Sequence, residues 1–76
     1  MPKTHRVAAP CTANVWRIDY SEGESVTADS EIMTLESMKL EIPIKAEISG
    51  TLKKLWVQEG EIVNQDEVLF EIEMED

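Results

Sequence analysis

The sequence predicts an all-β fold: about eight short strands in two facing sheets, a small sandwich or barrel with internal pseudo-twofold symmetry. Three observations predict it. The chain repeats itself at an offset of 37 residues. Its apolar residues alternate with polar ones, as they do along half-buried strands. Turn residues recur at roughly the 8–12-residue spacing of a small sandwich or barrel.

The repeat needs no gap. Seven positions are identical: Ala9/Ala46, Glu22/Glu59, Gly23/Gly60, Glu24/Glu61, Val26/Val63, Asp29/Asp66 and Glu36/Glu73. Others match in kind, such as Val15/Leu52, Ile18/Leu55, Ile32/Leu69 and Leu35/Ile72. The pseudo-repeats run over about residues 7–36 and 44–73. A solenoid or propeller needs about three copies or more. Two copies in one small chain instead predict halves that cover each other's apolar faces.

Each half reads in the same order: a turn, a strand, Glu-Gly-Glu, a short Val-containing strand, a turn with Asp, a strand. Met33 and Leu35 alternate with Thr34 and Glu36, and Val68, Phe70 and Ile72 with Glu67, Glu71 and Glu73. Ile42 and Ile44 alternate with Glu41 and Lys45 around Pro43, which marks an edge strand or a strand end. Gly23, Gly50 and Gly60 punctuate the runs. No window gives a helical period. Opposite Gly50 the first half carries Ala13, followed by Asn14. If Gly50 needs a left-handed backbone, Ala13 is strained there.

Composition sets the bounds. The 76 residues make one domain, 1–76. Val, Ile, Leu and Phe supply 19 of them, above the roughly one-fifth of a disordered chain, so a folded core is expected. Seven basic and 16 acidic residues leave a charge of −9, which repels nucleic acid and anionic lipid. The excess carboxylates read as a solvated face. One Cys and one His exclude an internal disulfide and a Cys/His zinc site. His5 and Cys11 lie in an N-terminal stretch expected to fray, which argues against a nucleophilic pair; Cys11 reads as a small, partly buried side chain. No apolar run of about 18 residues is present to span a membrane. No apolar segment follows the basic start, so no signal peptide is expected. A cytoplasmic protein follows. The Met-Pro-Lys start and Glu-Met-Glu-Asp end favour a free subunit. Trp16 and Trp56 are not repeat equivalents and read as core or surface patch.

Residues 37–43 fall outside the repeat pairing. They read as a hairpin, with strands Glu31–Glu36 and Glu41–Lys45 and one cation, Lys39, at the tip. Met38 and Leu40 are poor choices for a solvated tip, where Gly, Asn or Asp is the rule. A tip is also where a side chain is presented to another protein.

The run Glu36-Ser37-Met38-Lys39-Leu40 resembles the attachment motif of biotin carboxyl carrier domains. The resemblance continues through Glu41-Ile42-Pro43-Ile44, Ser49-Gly50-Thr51, the Glu-Gly-Glu turn and Val68–Glu73, and covers about residues 7–73. It is nearest to small biotin/lipoyl attachment domains without a thumb insertion. The fold it implies is the biotinyl/lipoyl-carrier fold, a flattened β-barrel or sandwich of two four-stranded antiparallel sheets with pseudo-twofold symmetry. It implies covalent biotin on Lys39, with Glu36, Ser37, Met38 and Leu40 forming the attachment motif. It implies a biotin protein ligase, a biotin carboxylase and a carboxyltransferase as partners. The chain would carry CO₂ between the last two, in an acetyl-CoA carboxylase of fatty acid biosynthesis or a related biotin-dependent enzyme, without being catalytic itself. Lipoyl domains share the fold but typically carry Asp before the lysine and Ala after it; Met38 and Leu40 point to biotin. The alternatives are a lipoyl carrier and a non-acylated interaction module.

A free lysine amine is protonated at neutral pH and is then no nucleophile. An exposed tip supplies no apolar pocket to change that, so the domain should not modify itself.

Overall fold

The computed structural model describes residues 3–74. The extreme ends, on which the free-subunit expectation rests, lie outside the described residues. Eight strands account for the fold: β1 (Lys3–Ala8), β2 (Ala13–Ile18), β3 (Ser25–Val26), β4 (Glu31–Ser37), β5 (Leu40–Lys45), β6 (Gly50–Leu55), β7 (Ile62–Val63) and β8 (Val68–Met74). They form two four-stranded antiparallel sheets, ordered β1-β8-β6-β3 (sheet A) and β5-β4-β2-β7 (sheet B).

The two orders superpose when each strand is exchanged for its partner at offset 37. Registers follow the same rule. Val15 faces Leu35 in sheet B, and Leu52 faces Ile72 in sheet A. Ile18 faces Met33, and Leu55 faces Phe70. Ala13 pairs with Val63, as Gly50 pairs with Val26. Even the bulges correspond: one falls between Val15 and Arg17, the other between Leu52 and Lys54. Each bulge leaves two successive side chains exposed, Trp16 and Arg17 in one half, Lys53 and Lys54 in the other.

The twofold is built into the core. Of sixteen buried apolar residues, fourteen form seven pairs at this offset: Val7/Ile44, Ala9/Ala46, Val15/Leu52, Val26/Val63, Ile32/Leu69, Met33/Phe70 and Leu35/Ile72. Each fully buried side chain of this size contributes about 1.5–3 kcal/mol, and the halves contribute alike. Neither half closes a core alone, because each sheet draws its strands from both.

The symmetry reaches further than the sequence shows. Leu40–Lys45 is the counterpart of Lys3–Ala8, although Leu40/Lys3, Glu41/Thr4, Ile42/His5 and Pro43/Arg6 share no residue type. The segment 37–43, unpaired in the sequence, therefore belongs to the repeat from Leu40 onward. The N-terminal stretch does not fray as expected: Lys3–Ala8 is a strand paired along its length with β8.

Gly50 is required for space, not for backbone sign. A Cβ there would clash with the Glu73 carbonyl oxygen. Gly50 is not among the positive-φ residues, and neither is Ala13 or Asn14. Ala13 is unstrained and buried, which corrects the sequence-based concern about the first turn. Asn14 has a use: in the orientation that satisfies its amide, its nitrogen donates to the Gly60 and Glu61 carbonyls at 3.2 Å.

Candidate functional site

The candidate site is the β4–β5 hairpin. Ser37 pairs with Leu40, so the loop is only Met38-Lys39, tighter than the four-residue tip the sequence suggested. A two-residue hairpin loop favours primed turns, and type I′ needs positive φ at both central residues. Met38 has φ 49° and Lys39 φ 69°. Left-handed backbone at a non-glycine residue costs about 1–2 kcal/mol. The strand pairing on either side holds the turn closed against that cost.

The strained turn points its side chains outward. Met38 is 92% exposed, the most of any large apolar residue described, and Leu40 66%. Lys39 is exposed, and among the described residues no carboxylate lies within 4.0 Å of its Nζ. Glu36 faces Glu41 across the hairpin, one pair below the tip. Ser37 is half-buried. The five motif residues predicted from sequence therefore share one end of one hairpin. Lys45, Lys53 and Lys54 lie on strands and not at a turn. Pro43 sits in β5, an edge strand of sheet B, which is where a residue without an N–H is tolerated.

The rest of the molecule offers less. A depression lies on the twofold, lined by Ile18/Leu55, Tyr20/Val57 and Glu22/Glu59, and Lys39 is not part of its lining. Its carboxylates are already engaged: Ile18 N–H donates to Glu59 at 2.9 Å and Leu55 N–H to Glu22 at 2.8 Å. Among the described residues no group of three or more His, Cys, Asp or Glu is placed to hold a metal. No helix is long and apolar enough to cross a membrane. Cys11 is free and half-buried, and His Nε2 of His5 meets Glu47 at 2.8 Å, not the thiol.

The Glu-Gly-Glu signature has a role that the sequence reading missed. Gly23 and Gly60, at φ 96° and 93°, turn the chain. Each N–H donates at 2.7 Å to a carbonyl of the other half, Gly23 to Leu52 and Gly60 to Val15. The first Glu of each triplet accepts an N–H from the opposite half. The second accepts from its own turn: Ser21 N–H to Glu24 at 2.6 Å, Gln58 N–H to Glu61 at 3.1 Å. Glu67 likewise accepts from Asn64 N–H. Five carboxylates expected to be mere solvated charge thus close turns and join the halves. The signal was available in the i, i+3 spacing of Ser21/Glu24, Gln58/Glu61 and Asn64/Glu67, the spacing of reciprocal caps.

With this geometry in hand, likeness to known proteins is informative. The family model described as "Biotin-requiring enzyme" matches residues 5–72. The chain belongs to this family. It is 38% identical over 66 residues to the biotin/lipoyl attachment protein of Bacillus subtilis (strain 168), covering 87% of this chain and 90% of that one. It is 35% identical over 68 residues to the biotin carboxyl carrier protein of acetyl-CoA carboxylase of Pseudomonas aeruginosa, covering 90% of this chain but 41% of that one. Among solved structures, a single-chain, multi-domain long-chain acyl-CoA carboxylase matches 96% of this chain and 7% of its own, with TM-score 0.87 and 20% identity; that likeness speaks for the fold. This biotin-requiring domain is of the carrier type, and biotin is the family's cofactor.

Proposed function

We propose that Lys39 is the residue to which biotin is joined, and that the domain carries a carboxyl group between two enzyme active sites. The observation that supports this most is the turn itself. Two residues that disfavour left-handed backbone are held there, and the result is one lysine at the outermost point of a rigid hairpin with an unobstructed amine. A merely structural loop gains nothing from Met-Lys over Asn-Gly.

Joining the group is an acyl transfer. The Lys39 Nζ attacks the acyl carbon of biotinyl-adenylate, an N–C bond forms, the C–O bond to AMP breaks, and one amine proton leaves. Among the described residues no carboxylate lies within 4.0 Å of Nζ to take that proton, and Glu36 and Glu41 lie on the strands below. A biotin protein ligase must therefore bring both the activated acyl group and the base. Amide formation removes the lysine charge and leaves a long flexible arm on a stiff mount. Biotin supplies the ureido ring that takes up and releases CO₂; the protein supplies presentation and reach. Tethering raises the effective concentration at a biotin carboxylase and at a carboxyltransferase. Met38 and Leu40 flank the acceptor with apolar surface, and in lipoyl-type motifs these neighbours are Asp and Ala. The whole assembly belongs to an acyl-CoA carboxylase or a related biotin-dependent enzyme.

The test is the intact mass after co-expression with a biotin protein ligase and biotin. One biotinyl addition in the wild type and none in Lys39→Arg is expected. Arginine keeps the charge but cannot be acylated in this way. Addition retained in Lys39→Arg would move the site to another lysine; a lipoyl addition would replace the cofactor.

A further inference from the structure

We infer that the outer face of sheet B, from the hairpin tip down to Ile62 and Trp16, is the docking surface for the ligase that modifies Lys39. We further infer that this partner meets it with an apolar contact flanked by Lys or Arg. The inference rests on Lys39 being the acceptor. The starting point is selectivity. The chain has five lysines, and only one is to be modified. A specific interface buries at least about 1,000 Å² in total. A two-residue turn cannot supply that, so recognition must spread onto whatever surface adjoins it.

The register shows what adjoins it. One pair below the tip, a single row crosses sheet B: Glu41, Glu36, Asn14 and Ile62. All four point away from the core, because their chain neighbours Leu35, Val15 and Val63 are buried. Ile62 is 73% exposed, more than any large apolar residue except Met38. Trp16 is the bulge residue two places beyond Asn14, diagonal to Ile62, and 45% exposed. Across the same level lie the exposed, uncharged Pro43 and the buried Thr34. Apart from the acceptor Lys39, Arg17 is the cation on this surface, and it is engaged: it stacks on Trp16 at 5.0 Å and pairs with Asp19 at 2.9 Å. The face is therefore apolar at Ile62 and Trp16 and anionic at Glu36 and Glu41, which lie between that apolar pair and the Met38-Lys39 tip. Among the described residues neither of those carboxylates has a cation within 4.0 Å.

The opposite face differs at the twofold-related positions. On sheet A the bulge carries Lys53 and Lys54 where sheet B carries Trp16 and Arg17. Trp56 stands where sheet B has Asp19. It lies against Lys54 at 5.1 Å and donates its Nε1–H to the buried Glu71 at 2.6 Å. Arg6 joins Glu71 at 3.7 Å. That aromatic is tied down by a buried carboxylate and ringed by cations. Charge complementarity thus singles out sheet B: a partner with basic groups is attracted to Glu36 and Glu41 and repelled by sheet A.

The test is kcat/KM for ligase-catalysed biotinylation of the intact domain at low salt. Ile62→Thr keeps a β-branched residue and removes the apolar contact; a loss of about fivefold is expected. Ile62→Lys adds repulsion and should lose about twentyfold or more. Trp16→Ala should fall with them. Lys53→Ala, on sheet A, should stay within about twofold. The wild-type rate should drop as salt is raised, and less steeply for a Glu36→Gln/Glu41→Gln variant. Thermal melts confirm that each variant is folded; Ile62 is exposed enough that its variants should be. Unchanged rates in both Ile62 variants would overturn the docking surface, as would an equal loss in Lys53→Ala. Failure of the acceptor reading looks different: the wild type itself would take up no biotin.

Discussion

Two kinds of turn in this molecule break the right-handed rule in opposite ways. At Glu-Gly-Glu the left-handed residue is glycine, for which that conformation carries no Cβ penalty. Carboxylates on both sides then bond backbone N–H groups, some across the twofold. At the β4–β5 tip the left-handed residues are Met38 and Lys39, and no side chain there caps the turn among the described residues. The first turns obey every local preference and hold the halves together. The second violates local preference and holds one lysine out. Left-handed backbone occurs singly at two other non-glycine residues, Glu47 and Asp66; only the tip places two in succession, and there it presents the lysine.

Substitutions sharpen that contrast, beginning with the largest expected effect. Gly50→Ala drives a Cβ into the Glu73 carbonyl and should destabilise the domain by about 3 kcal/mol in urea unfolding. The twofold counterpart already is Ala13, so Ala13→Gly should cost about 1 kcal/mol, through backbone entropy and the loss of one buried methyl group. Next, Gly23→Ala and Gly60→Ala have open space for the methyl group but the wrong φ, and each should cost about 1–2 kcal/mol. Unequal losses at these two positions would show the halves to be energetically unlike. Glu22→Ala and Glu59→Ala each remove one exposed carboxylate–backbone bond and should cost about 1 kcal/mol apiece. The smallest effect has the opposite sign. Met38→Asn relieves left-handed strain and should raise stability by about 0.5–1 kcal/mol, while lowering the biotinylation rate. A stability loss in Met38→Asn would refute the claim that the tip is strained.

The sequence made the architecture legible through its punctuation. Gly23/Gly60 and the acidic residues beside them repeat in type, because turn geometry demands particular residues. The core repeats in character, so Met33/Phe70 and Ile32/Leu69 could be paired by eye. The outer strands could not. Pro43 and Arg6 occupy equivalent positions on exposed edges, where almost any residue survives, so the repeat appears to stop at the hairpin when it does not. The strain at Met38 and Lys39 was signalled by two residues foreign to such a turn. What the carboxylates do was hidden for a different reason. Glu22 and Glu59 bond N–H groups 33 and 41 residues away, and such distant partners are set by the fold, not by a local pattern. The single-residue bulges that turn Trp16 and Lys53 outward have no sequence mark of their own.

The twofold has a consequence for how far the lysine can travel. It carries the pair Ser37–Leu40, beneath the tip, onto the pair Met74–Lys3, where the described chain begins and ends. Lys39 and the pair Lys3–Met74 thus occupy opposite poles of a body whose longest dimension is 39 Å. Wherever such a domain is spliced into a longer polypeptide, the joint is at one pole and the cargo at the other. The domain then works as the rigid segment of a jointed boom. Pivoting at the joint sweeps the lysine through an arc set by the whole body's length, before the flexible arm adds its own.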